Sequence, residues 1–153
     1  MSRMTETIEV EVPVSTAYNQ WTQFEEFPSF MEHVDEVRQL DDTNLHWRVT
    51  IAGKTQEFDA EVTEQVPDTR IAWKSTSGHE HAGVVDFHRL ADDRSQIAVQ
   101  MDAEPEGLME KAADVTGVAQ SQLRGDLERF KTLIESRGTE SGAWRGQVSP
   151  ESN

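Results

Sequence analysis

Asn44-Leu45-His46-Trp47-Arg48-Val49-Thr50-Ile51 alternates without a break: Leu45, Trp47, Val49 and Ile51 fall on one face, Asn44, His46, Arg48 and Thr50 on the other. A period of two marks a strand with one buried face. Ala52-Gly53-Lys54 is a tight turn. The alternation then resumes, with Phe58, Ala60 and Val62 set against Glu57, Asp59 and Glu61. Strands joined by short turns pair antiparallel, and the pattern continues in both directions.

Upstream, Val34 and Leu40 bracket another strand, and Ile8, Val10 and Val12 alternate with Glu9 and Glu11 until Pro13. Downstream, Pro67-Asp68 turns the chain. Ile71 and Trp73 face inward between Arg70 and Lys74, and Gly78 opens a loop into His79-Glu80-His81. Val85 and Phe87 continue inward, Asp92-Asp93 turns, and Ile97, Val99 and Met101 form the last strand. Between the first two strands, Ser15 reads as the N-cap of a short helix carrying Ala17, Tyr18, Trp21 and Phe24. Pro28 suits the first turn of a second short helix that brings Phe30 and Met31 to the core.

After Pro105 a long helix runs to about Arg137, with the stripe Leu108, Ala112, Val115, Ala119, Leu123, Leu127, Phe130 and Ile134. Gly138 is its stop. One sheet with one apolar face needs a cover. The expected fold is therefore α+β: a curved antiparallel sheet of about seven strands wrapped around a long C-terminal helix, with two short helices after strand 1. Residues 1–138 form the domain. Residues 139–153 form a polar tail expected to be mobile, in which Trp144 is a packing anchor, a lid or a partner contact.

The chain has 153 residues, which suits one domain. Hydrophobic residues are 35% and charged ones 28%, but four Trp and six Phe supply enough buried area for a core. The absence of Cys excludes disulfides, thiolate metal sites and a thiol nucleophile. A net charge of −15 repels nucleic acid and anionic membranes. Of the 14 basic residues ten are Arg, which fits a high-salt adaptation and a GC-rich genome equally well. The first residues lack the basic start and apolar block of a secretory signal, and no run approaches the ~18 apolar residues of a spanning helix. The expected location is the cytoplasm.

A curved sheet and a straight helix do not touch along their whole length. The helix carries Ala112, Ala113, Gly117 and Ala119 in its central turns. Gly117 and Gly125 each cost about 1 kcal/mol of helix stability relative to Ala, which suggests close packing or deliberate space. Trp47, Phe58 and Trp73 on the facing strands can line an apolar cavity, the usual form of a small-molecule site. Interdigitation into a solid core is the competing arrangement.

The ordered set of segments resembles a known family. The pieces are Glu9-Val10-Glu11-Val12-Pro13-Val14, Tyr18-Asn19-Gln20-Trp21, Phe24-Glu25-Glu26-Phe27-Pro28-Ser29-Phe30-Met31, Arg70-Ile71-Ala72-Trp73 and Gly83-Val84-Val85-Asp86-Phe87. Asp126-Leu127-Glu128-Arg129-Phe130-Lys131, Ile134-Glu135-Ser136-Arg137 and Ala143-Trp144-Arg145-Gly146 complete it. Together they resemble the polyketide cyclase/dehydrase group of the START-like (SRPBCC) superfamily, in its bacterial single-domain branch. The resemblance implies a helix-grip fold with an apolar cavity under the C-terminal helix, and no particular activity.

The expected ligand-binding residues are Phe30, Met31, Trp47, Phe58, Trp73, Met101, Val115, Ala119 and Leu123. The expected function is binding of a small hydrophobic molecule: a polyketide, quinone or lipid. Two alternatives stand beside it, a polyketide cyclase, aromatase or dehydratase, and a regulatory protein-interaction domain. An enzyme needs a general acid or base and polar groups to orient carbonyls. The inward candidates are few: His81, Ser75, Tyr18 and Gln56, with Tyr18 the best suited to packing. No Ser-nucleophile motif, phosphate-binding loop or dinucleotide fingerprint is present. His79, Glu80 and His81, with His88 or Asp86, do not supply the three or four rigid ligands of zinc, so no metal or cofactor is expected. His46 and the row Glu57, Asp59 and Glu61 read as solvated outer surface, and His33, just after the second short helix and near the expected cavity entrance, as a helix-end or surface group before a ligand contact.

Overall fold

The computed structural model describes residues 2–51, 53–78, 81–103, 112–143 and 146; for residues 2, 3, 51, 78, 81, 103 and 112–120 it describes the backbone. Leu108, His79, Glu80 and Trp144 lie outside the described residues, as do the side chains of Ile51, His81, Val115 and Ala119.

Seven strands form one antiparallel sheet: β1 (Ser2–Val10), β2 (Val34–Gln39), β3 (Asn44–Ile51), β4 (Lys54–Val66), β5 (Arg70–Gly78), β6 (His81–Ala91) and β7 (Arg94–Ala103). Their order is β1-β7-β6-β5-β4-β3-β2, a meander whose first strand closes on the last. The alternation seen in sequence is the pairing seen in space: Trp47 stands opposite Phe58, and Leu45 opposite Ala60. Gly53 makes the β3–β4 turn at φ +79°, a conformation that costs other residues more.

Helix α1 (Val14–Trp21) begins at Pro13, whose carbonyl accepts from the Ala17 amide at 3.1 Å. The expected cap Ser15 therefore lies inside the helix. Proline's fixed φ already directs the chain into it, and no side chain caps the end. The second short helix also differs from expectation. It is a 3-10 helix over Phe24–Ser29, and Pro28 falls near its end, not its start. With three residues per turn, Phe24, Phe27 and Phe30 share one face. Their successive ring centroids are 5.5 Å apart.

The long helix α2 (Ala112–Arg137) is held along both flanks. On the β1 side, Arg124 reaches Glu6 at 3.1 Å, Lys131 donates to the Glu9 carbonyl at 3.0 Å, and the Glu11 amide donates to Glu135 at 2.8 Å. On the other side, Arg129 donates to the Phe30 carbonyl at 2.9 Å, and the Glu32 amide donates to Asp126 at 3.2 Å. These contacts fix direction: α2 runs alongside β1 in the same sense. From Arg124 back to Ala112 the helix spans about 18 Å, against about 13 Å from Glu6 back to Ser2. The first turns of α2 therefore run past the start of β1.

Gly138 stops α2 at φ +72°, with its amide bonded to the Ile134 carbonyl at 2.8 Å. The chain beyond it lies against α1. The Ser141 amide donates to the fully buried Gln20 side chain at 2.8 Å, and Asn19 donates to Glu140 at 2.8 Å.

Candidate functional site

The interior has two halves. Under the second half of α2 it is solid. Phe130 sits 5.0 Å from Trp21 and 5.1 Å from Phe30, and Trp21 meets Phe27 and Phe87. Edge-to-face rings at these spacings make a close-packed aromatic core. Phe30, a predicted pocket residue, belongs to this core. Tyr18 is there too, fully buried with its ring 5.3 Å from Phe87.

Toward the other end, cross-strand pairing aligns Met4, Met101, Gly83, Trp73 and Val62 in one row. Three buried aromatic rings lie here almost parallel. Trp47 stacks on Phe58 at 5.7 Å and 10°, and on Trp73 at 6.5 Å and 19°. Trp73 in turn lies on the backbone of Gly83, where a β-carbon would be 2.4 Å from the indole. The result is an apolar slab of stacked rings from β3, β4 and β5, resting against β6. Met101 is half-buried beside it, and Ser75, opposite Ala60, is half-buried on the same face of β5. His81 lies on β6 opposite Ala103.

The structure thus brings Trp47, Phe58 and Trp73 together, with Met101 on the adjoining strand. Met31 is buried after the 3-10 helix, and Leu123 is buried on α2. Val115 and Ala119 lie on the part of α2 whose side chains are outside the described residues. Gly125 is corrected: a β-carbon there would meet only the Arg129 guanidinium, at 3.4 Å, so this glycine makes no interior space.

Sequence alternation missed two inward polar residues. Glu6 shares its face with Met4, Ile8 and Val10, and its side chain is 13% exposed because Arg124 covers it. Gln65 is 1% exposed. Counting by twos from Phe58 points Glu64 inward and Gln65 out. A register shift between Val62 and Glu64 inserts one residue and reverses the parity. Neither side-chain nitrogen nor oxygen of Gln65 has a hydrogen-bond partner among the described residues.

Two open clefts flank α2. One, of about 230 Å³, is lined by Pro28, Ser29, Phe30, Glu32 and Arg129. The other, of about 160 Å³, is lined by Glu6, Thr7, Ile8, Arg124, Leu127 and Glu128. Neither is lined by the slab. Beside the first, burial pushes the Asp126 carboxyl above its usual range, against the pull of the Glu32 amide and Arg129. His33 lies nearby, its Nδ1 3.2 Å from the Thr50 carbonyl oxygen.

On the outer face, His46 is more than a solvated side chain. Its Nδ1 is 2.7 Å from Asp59 and its Nε2 2.8 Å from Glu57. Hydrogen bonds to Asp59 and then Glu57 raise its pKa above 6.5. Among the described residues no cluster of His, Asp and Glu could hold a metal ion. No helix among them is long and apolar enough to cross a membrane.

A curled antiparallel sheet gripping one long helix defines the START-like, helix-grip class. Comparison with known proteins agrees. The polyketide cyclase / dehydrase and lipid transport family matches residues 10–132, and the chain belongs to that family. It is 54% identical over 149 residues to an uncharacterized 17.2 kDa protein of Streptomyces lincolnensis, covering 97% of this chain and 99% of that one. A START superfamily protein from Mycobacterium smegmatis superposes with TM-score 0.75 at 19% identity, covering 88% of this chain and 98% of that one. The Zhui aromatase/cyclase of a Streptomyces species superposes with TM-score 0.74 at 13% identity, covering 94% and 99%. At these identities the two structures share the fold.

Proposed function

We propose that the protein binds a small, flat hydrophobic molecule, of polyketide, quinone or lipid-like character, between the aromatic slab and the first turns of α2. The observation that carries this is the near-parallel stack of Trp47, Phe58 and Trp73 on the inward face. A planar guest can extend a parallel stack by lying on the face of its end ring. By sequence, the first half of α2 carries the small residues Ala112, Ala113, Gly117 and Ala119. Family membership supports the same reading. A guest burying about 200 Å² of apolar surface would gain about 5 kcal/mol before the costs of association. The proposal carries a cytoplasmic location, which fits a chain without Cys.

The test is titration with 1,4-naphthoquinone, anthracene-2-carboxylate and decanoate, read by Trp fluorescence and thermal melting. Saturable quenching with a rise in Tm is expected for at least one planar probe. Silence with all three in both readouts would refute the reading.

A further inference from the structure

We infer that Gln65 is the polar anchor of this interior, and that the ligand carries a ketone or hydroxyl oxygen which the Gln65 amide holds. The inference rests on the binding reading above and adds the chemistry of the ligand.

Position comes first. Gln65 pairs with Ile71, Ile71 with Val85, Val85 with Val99, and Val99 with Glu6, which makes one row across the sheet. The next row is the one containing Trp73, Gly83 and Met101. Gln65 is thus one row from the slab, on the same inward face, beside the β4–β5 turn.

Chemistry follows. A primary amide offers two donors and one acceptor. Buried without a partner, such a group loses its hydration and gains nothing in return. Val, Ile, Leu or Met would fill that row at no such cost. The bulge between Val62 and Glu64 is what turns Gln65 inward, while its sequence neighbour Glu64 is left to pair with Arg70 at 3.6 Å. The indole Nε1 of Trp21 is also buried without a partner among the described residues, but it belongs to the solid half, its ring edge-on to Phe87 one row further on. An apolar interior with a few convergent polar groups is the usual design of a site that orients its guest. The Gln65 Nε2–H donates to a ketone or hydroxyl oxygen, and its Oε1 accepts from a hydroxyl. A hydrocarbon chain satisfies neither.

The experiment compares 1,4-naphthoquinone with naphthalene, nearly equal in shape and differing in the two carbonyls. The chain has no thiol to add to the quinone. Dissociation constants of both probes are measured for the wild type and for Gln65→Met, with Tm and circular dichroism as folding controls. The wild type should prefer the quinone about tenfold, the worth of one buried hydrogen bond. Gln65→Met should keep its naphthalene affinity, lose the quinone preference, and melt at the wild-type temperature or above. An unchanged preference in Gln65→Met would overturn the inference while leaving the binding reading intact. So would a fall in Tm of several degrees, because the amide would then already be satisfied without a ligand. Failure of the wild type to bind either probe would overturn this inference, and the binding reading falls with it only if anthracene-2-carboxylate and decanoate are silent as well.

Discussion

The indole of Trp73 lies so close to the backbone of Gly83, its cross-strand partner, that a β-carbon at residue 83 would stand 2.4 Å from ring atom Cζ2. Glycine is needed here for space. Gly83→Ala must push the indole off β6 and disturb its stacking on Trp47. The expected cost is about 1–3 kcal/mol in urea unfolding, typical of overpacking. Gly53→Ala is the contrast: it meets nothing within 4 Å and carries only the penalty of φ +79°, about 1 kcal/mol. A Gly83→Ala protein as stable as the wild type, with unaltered Trp fluorescence, would contradict the close approach.

The domain boundary offers a second test. The sequence suggests an end at Gly138, where a left-handed glycine follows the apolar stripe. Hydrogen bonds place Glu140 and Ser141 against α1 and the 3-10 helix. Ser141 donates its amide to Gln20 at 2.8 Å and its hydroxyl to Glu26 at 2.7 Å. We propose that the folded unit extends to residue 143. Truncation after Gly138 leaves the buried Gln20 oxygen with Arg137 alone, at 3.3 Å. It should lower stability by about 1–3 kcal/mol. Truncation after Ala143 keeps these bonds. Equal urea midpoints for the two truncations would defeat the proposal.

The strands and α2 were legible because each buries a continuous face, so the apolar period is written into the sequence. Trp47, Phe58 and Trp73 were found by parity alone. Parity fails where an extra residue enters a strand, and nothing in Glu64-Gln65 announces a bulge, so Gln65 was missed. Glu6 was missed for a different reason. Arg124, 118 residues later, reaches this charged residue on the inward face, and no local pattern records so distant a partner. The 3-10 helix was misplaced because Pro28 looks like a helix start, whereas the three-residue spacing of Phe24, Phe27 and Phe30 already described the turn.

His46 makes stability depend on pH. Its pKa is raised by Asp59 and then Glu57, and that of Asp59 is lowered, chiefly by His46. A raised histidine pKa stabilises the fold fully below the unfolded value of 6.5 and loses that contribution as pH rises through the folded value. A lowered aspartate pKa contributes above the unfolded 3.8 and is lost as pH falls through the folded value. The group therefore contributes most between 3.8 and 6.5. All three side chains are partly solvated, so the effect should not exceed about 1 kcal/mol. His46→Gln should lose the most stability near pH 5 and almost none at pH 9, with the gap narrowing in high salt. A gap independent of pH would mean that His46 acts by packing alone.

The two halves of the interior should be separable. Phe130 is fully buried and touches Trp21 and Phe30, all within the solid half. Trp73 touches Trp47 and Gly83 in the slab. Phe130→Leu removes an aromatic hub but keeps an apolar group in place. It should lower urea stability by about 1–3 kcal/mol while leaving the affinity for a planar probe within a factor of two, since the altered volume lies away from the slab. Trp73→Leu breaks the stack where the guest is proposed to lie, and should weaken the same probe by tenfold or more. Trp47 connects the halves, because its ring is 5.5 Å from Phe27 as well as stacked on Phe58, so Trp47→Leu should lower both stability and affinity. The pattern across the three variants decides the matter. If Phe130→Leu costs as much affinity as Trp73→Leu, the guest lies in the aromatic core, and the slab is merely its wall.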